Sequence, residues 1–531
     1  MASESQSAAG EPGRSVGIDL GTSYSSLALL DDDGLPRVIE NTDGSSLTAS
    51  VVVLADGGRA LVDPDESTLS QADPARRVFA IKREMGNPRF TMRHENRRLT
   101  PELISSLILT RLRQDAEATI GKIDRAVITV PYYFDESRRR ATRNAGRIAG
   151  LEVVDIINEP TAATLSYAWL TGELGVGGSA DPRLILVYDL GGGTFDVTLV
   201  HYTPTHFRVL ATDGDTLLGG IDWTDRVVDL VSEQVIERGG SDPRTDPQAR
   251  FSLMRQCEQV KRDLSERLVT SLEYNSENLS LLIDVTRNEC ERRTADLLQR
   301  TRDTTELVLA TAEVRAGQLD EVILVGGSSA MPAVRAMLEQ VTGRTPNDQL
   351  DPRLAVAQGA AIHAAILDAR QVGAGGRTAR ALVKRLRSIS TANVNSHSLG
   401  VELTDRNQSE RRFNHVMIPK NTPLPCRVTQ RFVTNRDKPR AIIIRLLEGE
   451  VSDVTACTTI GDFRVVGLPP DLAAGSPVEV EYGYDASGHI HVTARELTGN
   501  TEASVEIHWS DGGGDEAVSK FRALSAGYAV E

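Results

Sequence analysis

Two stretches, VGIDLGTSYSSLAL (16–29) and LVYDLGGGTFDVTL (186–199), share one pattern: an apolar strand, Asp-Leu-Gly, a turn of small residues and a second strand. Each predicts a β-hairpin whose glycine-rich turn lets backbone N–H groups and hydroxyls approach phosphate oxygens. Asp19 and Asp189 place a carboxylate beside each turn, which would repel a bare polyphosphate, so Mg²⁺ is predicted between them. Two matched hairpins predict two similar lobes that face each other across one cleft.

The first part of the chain, residues 15–370, alternates predicted strands and helices, the pattern of an α/β domain. Buried strands are predicted at 126–131 (AVITVP) and 321–327 (EVILVGG), because apolar runs ending in Gly or Pro are typical of such sheets. A helix is predicted to begin at Thr100-Pro101, an N-cap residue followed by proline in the first turn.

The second part consists almost purely of short alternating strands. Residues 476–496 predict a hairpin around 485–488, and repeated hairpins without helices predict a β sandwich. A stretch rich in Gly, Ala, Arg and Ser predicts a linker between the two parts. The predicted segments are a disordered N-terminus (1–14), an α/β domain (15–370), a linker (371–395), a β sandwich (396–510) and a short tail with at most one short helix (511–531).

Composition excludes several classes of partner. The net charge of −15 and the pI near 5.2 oppose binding to nucleic acid or to an anionic membrane. The cysteines are scattered without CxxC spacing, which favours reduced thiols and a cytoplasmic location. Residues 1–14 lack the basic start and apolar run of a secretory signal, and no apolar run approaches the length of a membrane span.

A third glycine turn, Gly326-Gly327-Ser328, follows a predicted strand and suits close approach to a nucleoside. No GxxxxGKS or GxxxxGKT motif occurs, which excludes a P-loop enzyme. A loose dinucleotide fingerprint at 175–180 follows no strand and precedes Asp181-Pro182, so we interpret it as a loop.

These three turns, with ITVPYYFDESRRRATRNAGRIAGLEVVDIINEPTAATLSYA (128–168), resemble the seventy-kilodalton heat-shock chaperones of the DnaK type. The long segment is a specific signature, and the resemblance runs from residue 15 to about residue 509. It implies an actin-like, two-lobed ATPase domain followed by an all-β sandwich that binds unfolded or extended peptides. It also implies ATP and Mg²⁺ as ligands, and a J-domain co-chaperone and a nucleotide-exchange factor as partners.

The resemblance implies a role for each matching position. Lys82 matches the lysine at the γ-phosphate, Asp196 a carboxylate near the attacking water, and Glu159 the link between the Mg²⁺ shell and domain coupling. Pro131 matches a proline that switches this coupling, and Asp19 and Asp189 match ligands of Mg²⁺ through water. The matching phosphate-binding positions are Gly21, Thr22, Ser23, Tyr24, Gly191, Gly192, Gly193, Thr194, Gly219 and Gly220.

Two further groups of residues have alternative interpretations. Glu258, Lys261, Arg262 and Ser265 share one helix face, which holds ribose and adenine in the family but equally suits a salt-bridged solvent face. The positions that match the lining of the family's peptide cleft also suit plain sandwich core. These positions are Val401, Phe432, Ile442 and Ile444.

The sequence departs from the family at several places. Ala330 stands where an arginine usually stacks on adenine, and Arg353 replaces a usual acid nearby. A basic, polar stretch (381–397) replaces the apolar, Leu-rich linker, and 404–415 is longer and more basic than the usual loop beside the cleft. No multi-helix lid follows the sandwich, so fast peptide release is expected.

The sequence thus predicts an ATPase that uses ATP to control peptide binding, as a molecular chaperone does. An alternative is a regulatory or scaffolding switch whose β domain binds one dedicated partner, which the unusual linker and missing lid favour. A small-molecule kinase on the same fold is a third hypothesis, but the appended strands at 396–510 argue against it.

Overall fold

The computed structural model describes residues 13–175, 181–276, 279–371, 380–392, 394–405, 411–484, 490–506 and 515–531. The helices are α1 (Glu66–Gln71), α2 (Pro101–Ile120), α3 (Glu136–Ile148), α4 (Glu159–Leu170), α5 (Gly220–Glu237), α6 (Pro247–Glu266), α7 (Arg287–Arg293), α8 (Ala295–Thr311), α9 (Pro332–Thr342), α10 (Ala355–Gln371), α11 (Arg380–Arg387) and α12 (Asp515–Ser525).

The strands of the first 392 residues are β1 (Arg14–Asp19), β2 (Tyr24–Leu30), β3 (Pro36–Ile39), β4 (Thr48–Ala49), β5 (Val52–Ala55), β6 (Arg59–Val62), β7 (Arg77–Val78), β8 (Met92–His94), β9 (Arg97–Leu99), β10 (Ile123–Val130), β11 (Glu152–Asn158), β12 (Arg183–Leu190), β13 (Phe195–Tyr202), β14 (His206–Asp215), β15 (Val269–Ser276), β16 (Leu279–Thr286), β17 (Glu321–Val325) and β18 (Ser390–Ala392).

The later strands are β19 (Leu399–Thr404), β20 (Arg412–Ile418), β21 (Cys426–Val433), β22 (Ile442–Glu448), β23 (Thr458–Val465), β24 (Pro477–Tyr484), β25 (Ile490–Glu496), β26 (Thr501–Glu506) and β27 (Ala529–Val530).

Two mixed sheets of the α/β part follow the same local plan. Sheet A has the order β11-β10-β1-β2-β3, with β4 also paired to β2, and sheet B has the order β17-β12-β13-β14-β18. In each sheet the first strand of a hairpin, β1 or β12, pairs antiparallel with its successor and parallel with a later strand. The hairpins predicted from the repeated sequences are therefore confirmed.

Helices α4 and α10 pack between the two sheets, because one apolar cluster takes residues from β10, β12 and both helices. Glycine permits the closest contacts: a Cβ on Gly17 would lie 2.0 Å from Ala361 N, and one on Gly359 would lie 1.7 Å from Ala162 O. The predicted helix start is also confirmed, since Thr100 accepts a hydrogen bond from Leu103 N at 3.3 Å. This packing fixes both hairpin turns at one side of the two sheets.

The second part contains two antiparallel sheets, β20-β19-β22-β23 and β21-β24-β25-β26, which share one apolar core. This arrangement is that of a β sandwich. The predicted hairpin is present as β24 and β25, and its predicted turn lies outside the described residues.

The basic stretch that separates these parts is docked rather than extended away from the protein. Leu386 of α11 is buried, the Arg385 guanidinium lies 3.9 Å from the Trp169 ring centroid, and its Nε donates to Leu174 O. Strand β18 then joins sheet B beside β14. The long arginine stem explains this docking, because it packs on apolar surface while its charged end reaches a carbonyl.

The final segment contains one short helix, as the sequence allows, and it is docked on the α/β part. Helix α12 packs on α2 and α3, and β27 pairs with β6. Among the described residues, no helix has the length and apolar character needed to cross a bilayer. The cysteines are free, in agreement with the prediction of reduced thiols. Residues 1–12, 176–180 and 406–410, which include parts of the predicted N-terminus and loops, lie outside the described residues.

Candidate nucleotide site

The turns of the two matched hairpins touch each other. A Cβ placed on Gly192 would lie 2.1 Å from Ser23 Oγ, and one placed on Gly193 would lie 2.4 Å from Thr22 Cγ2. Only glycine allows this approach without displacing the opposite turn. The structure thus brings together the two turns that the sequence repeat singled out.

The start of α5 supports the second turn from behind. Gly220 N donates to Gly191 O at 2.9 Å, and Ile221 N donates to Gly192 O at 2.8 Å. A Cβ on Gly219 would lie 2.5 Å from Gly193 N, so this predicted glycine lies directly against the turn. The segment therefore shapes the turn through backbone contacts.

Arg83 is a residue of the site that the sequence did not single out. Its Nε donates to Gly193 O at 2.8 Å, and its Nη2 donates to Asp222 Oδ2 at 2.6 Å. It thereby joins the segment that carries Lys82 to the second turn and to α5. Its position next to Lys82 could have pointed to the site, but a charged residue beside other charged residues is usually interpreted as solvated.

Four carboxylates surround one lysine between the turns. Lys82 and Glu159, both almost fully buried, form an ion pair at 2.6 Å. Asp189 and Asp196 are buried beside each other on paired strands, and Asp19 accepts from Thr129 Oγ1 at 3.2 Å. One ammonium cannot neutralise four carboxylates, so this cluster favours a bound cation or protons.

The protonation of these groups reflects their burial. Burial, reinforced by the charge of Glu159, raises the pKa of Asp19 and the pKa of Asp196 to about 7. The same two causes raise the pKa of Asp189 well above its ordinary value. Burial lowers the pKa of the Lys82 ammonium, but Glu159 and Asp19 outweigh it, so the net shift of this pKa is upward. Lys82 therefore stays charged, while the carboxylates compete for protons without a cation.

The predicted face of α6 points into the same region. Lys261 Nζ donates to Gly220 O at 2.8 Å and to Glu258 Oε2 at 2.7 Å. Arg262 Nη2 donates to Tyr24 Oη at 3.0 Å, and its guanidinium lies 5.2 Å from the Tyr24 ring centroid. This face therefore reaches across to the first turn, and it is not merely a solvent-exposed row of ion pairs.

The third glycine turn closes the site from the side of sheet B. Gly326 has a φ of +79°, and a Cβ on it would lie 2.4 Å from Leu190 O. Beside this turn, where Gly326 N donates to Pro352 O at 2.8 Å, Arg353 is held by two hydrogen bonds to the Asp351 carboxylate. Ala330 and Arg353 line the same cavity, so a guanidinium remains at this rim even though residue 330 has none.

A cavity of about 590 Å³ unites these elements. Gly193, Gly219, Asp196 and Pro131 do not line it. Gly193 packs against Thr22 of the first turn, Gly219 lies behind Gly193, and Asp196 lies deeper, with Tyr132 N donating to its Oδ2 at 3.0 Å. The predicted residues that line the cavity are Asp19, Gly21, Thr22, Ser23, Tyr24, Lys82, Glu159, Asp189, Gly191, Gly192, Thr194, Gly220, Glu258, Lys261, Arg262, Ser265, Gly326, Gly327 and Ser328.

Comparisons with known proteins agree with this architecture. The family model described as Hsp70 protein matches residues 15–530. The chain belongs to the Hsp70 family. This Hsp70 chain is 37% identical over 500 residues to the chaperone protein DnaK of Thermotoga neapolitana, covering 93% of the chain and 80% of that protein. The DnaK proteins of Thermotoga petrophila and Thermotoga maritima match to the same extent.

Membership of the Hsp70 family establishes the general activity. The protein is an ATP-dependent chaperone that hydrolyses ATP, and it acts on unfolded peptides together with co-chaperones. This result favours the chaperone over the dedicated switch and the small-molecule kinase.

The residues predicted for the Hsp70 peptide cleft occupy two kinds of position. Val401 and Ile444 are buried in the core between the two sandwich sheets, whereas Phe432 and Ile442 are partly buried at its margin. The His415 ring meets Phe432 edge-on, with ring centroids 5.5 Å apart. The core interpretation accounts fully for Val401 and Ile444, and the role of all four in peptide binding stays a prediction.

Proposed function

We propose that ATP binds with Mg²⁺ in this cavity, with its phosphates between the two hairpin turns. The excess of buried carboxylates supports this proposal, because Asp19 and Asp189 gain a compensating charge when a divalent cation is near. The buried Asp196 Oδ1, which has no hydrogen-bond partner among the described residues, also fits a site that is completed by a ligand or water. The donor set consists of oxygens, as Mg²⁺ prefers.

Hydrolysis then depends mainly on positioning and on charge. When bound, Mg²⁺ supplies neutralisation of phosphate charge. The Lys82 ammonium, which forms an ion pair with Glu159 at 2.6 Å, is proposed to stabilise negative charge at the γ-phosphate. Asp196, whose Oδ2 is held by Tyr132 N, lies behind the cavity lining and is proposed to influence the attacking water from there. Thr194 contributes a hydroxyl at the second turn.

The nucleoside is proposed to lie between α6 and the third turn. Glu258, Lys261, Arg262 and Ser265 supply polar groups on one side, and Gly326, Gly327 and Ser328 allow close approach on the other. Arg353 is proposed to take over the stacking contact that Ala330 lacks, because its guanidinium is anchored by Asp351 at the same rim.

The broader organisation is also a proposal. Sheets A and B, with their helices, would form the two lobes of an actin-like ATPase domain (15–370), and the two antiparallel sheets a peptide-binding sandwich (396–510). The joining segment (371–395) and final segment (511–531) are docked in their described parts. A cytoplasmic location and the partnership with a J-domain co-chaperone and a nucleotide-exchange factor complete the proposal.

Tyr132 carries the proposed coupling between ATP and peptide. Its N–H binds Asp196 at the nucleotide site, while its hydroxyl donates to Val394 O at 2.6 Å and accepts from Val394 N at 2.9 Å. Ser396 Oγ donates to Tyr132 O at 2.7 Å. One residue, directly after Pro131, thus contacts both the ATPase site and the chain that enters the sandwich. Pro131 is proposed to set the conformation of this connection.

Replacing Tyr132 by phenylalanine tests this coupling. The variant keeps the backbone bond to Asp196 but loses both hydroxyl contacts with Val394, at a cost of about 1–3 kcal/mol for buried polar groups left without partners. Steady-state ATPase activity should change little without peptide, whereas stimulation by an extended apolar peptide should fall about fivefold or more. Tyr274→Phe, at a buried tyrosine of β15, is the control. Equal stimulation of Tyr132→Phe and the parent would contradict the proposed role.

The pH dependence of ligand binding follows from the raised carboxyl pKa values. Because the pKa values of Asp19 and Asp196 are about 7 in the folded protein, above their ordinary value of 3.8, the ligand-free fold loses stability as pH rises from about 4 to about 7. Binding of ATP with Mg²⁺ favours the ionised carboxylates. The increase in Tm that the ligand produces should therefore be larger at pH 8 than at pH 6, and Asp196→Asn should reduce this difference. Equal increases at both pH values would show that these carboxylates do not respond to the ligand.

A further inference from the structure

Strand β6 belongs to a small sheet with β5 and β7, and its outer edge is covered by the end of the chain. Strand β27 runs parallel to β6, with Ala529 opposite Arg59 and Val530 opposite Ala60. Three backbone hydrogen bonds make the ladder: Ala529 N to Gly58 O at 2.8 Å, Glu531 N to Ala60 O at 3.0 Å, and Val62 N to Glu531 O at 2.8 Å. This is recognition by strand addition.

Apolar contacts anchor the same segment. Val518 and Tyr528 are buried and belong to the apolar cluster beside sheet A, and three partly buried residues pack against it: Phe521, Leu524 and Val530. The Tyr528 hydroxyl lies 3.1 Å from His94 Nδ1, and the Arg97 guanidinium lies 5.2 Å from the Tyr528 ring centroid. The ring therefore fills a specific pocket.

The surface that receives the segment is shaped for it. Gly58 has a φ of +69°, and a Cβ on it would lie 2.7 Å from Gly527 O. A side chain at residue 58 would therefore push the added strand away. The Arg59–Glu531 ion pair, with both side chains about half exposed, contributes little to affinity.

Because of the route of the chain, this contact restricts how far the sandwich can move from the α/β part. Strand β18 joins sheet B immediately before the sandwich, and after the sandwich α12 and β27 pack beside sheet A. The sandwich is thus fastened at both ends to the α/β part. It cannot move far from that part while both fastenings hold.

We propose that residues 515–531, here named the latch, are a detachable ligand of the β6 edge and must leave it before the sandwich separates from the α/β part. The surface fits a short helix with one apolar face, followed by an aromatic residue and an extended strand. An 11-residue helix is marginal on its own in water, so the latch is expected to unfold as it leaves. Such small elements open at lower free energy than the core.

Hydrogen exchange at the Val62 amide tests the docking, because this N–H donates to the latch itself. In Tyr528→Ala, the loss of a buried ring should accelerate exchange at Val62 by about 100-fold or more, while amides of sheet B keep the parent rate. Arg59→Ala, which removes only the exposed ion pair, should change it less than about threefold. Parent-like exchange at Val62 in Tyr528→Ala would overturn the proposal.

Two measurements on the same full-length variant test detachment. A synthetic peptide of residues 515–531 added to Tyr528→Ala should restore slow exchange at Val62, and small-angle scattering should show a larger radius of gyration before the addition than after it. Failure of the peptide to protect Val62, or an unchanged radius, would refute a latch. Protection of Val62 in the parent that rises with protein concentration would assign the docked segment to a second copy and would also refute it.

Discussion

Lys82→Ala is expected to retain ATP binding and to slow hydrolysis by about 100-fold or more, because in the proposed mechanism the lysine supplies positive charge where the transferred phosphoryl group develops charge. Binding persists because the hairpin turns and α6 make the other proposed contacts. Single-turnover hydrolysis, with calorimetry for binding, separates the two effects. Lys122→Ala, at an exposed lysine, is the matched control.

The same substitution should also lower the Tm. It leaves Glu159 buried without its cation, and breaking a buried ion pair typically costs about 3–5 kcal/mol. ATP with Mg²⁺ should recover part of this loss. Lys82→Met, which retains the apolar stem, keeps the packing closer to that of the parent and provides a second test. A single-turnover rate close to that of the parent in either folded variant would refute the role of Lys82.

Gly193→Ala is expected to weaken ATP binding by about tenfold to 100-fold. The new Cβ would lie 2.4 Å from Thr22 Cγ2 and 2.7 Å from Thr22 Oγ1, so the two turns must move apart. The Arg83 contact with Gly193 O would be displaced as well. Titration calorimetry with ATP and Mg²⁺ measures the loss, and the Tm increase caused by the ligand should shrink in parallel.

A matched substitution at an open glycine controls for the added methyl group. A Cβ on Gly317 meets no atom within 4 Å, so Gly317→Ala should bind ATP as the parent does. Parent-like affinity in Gly193→Ala would show that the turns do not grip the phosphates in this closely packed arrangement.

The hairpins and the start of α2 were predictable because their signals are local. Asp-Leu-Gly turns between apolar strands, and Thr100 before Pro101, determine nearby backbone geometry without help from distant residues. The residues of the cluster around Lys82 were predictable as well, but only because the family resemblance identified matching positions that lie far apart in the sequence.

Contacts between distant residues were not predictable from the same signals. Arg83 meets a carbonyl 110 positions away, and nothing in its neighbours specifies that partner. The basic α11 resembled a solvated linker, yet the stem of Arg385 packs on Trp169. In the sandwich, alternation placed Val401 and Ile444 on an inner face but could not distinguish a core from a ligand groove.

The pairing of β6 with β27 also has a consequence for biosynthesis. Arg59 and Glu531 are 472 positions apart, so the ribosome exposes one partner long before it makes the other. At a synthesis rate of about 5–20 residues per second, roughly 25–95 s pass between the synthesis of β6 and that of β27. During that interval the nascent chaperone exposes an unpaired strand edge, the kind of feature that promotes aggregation and that chaperones protect in other newly made proteins.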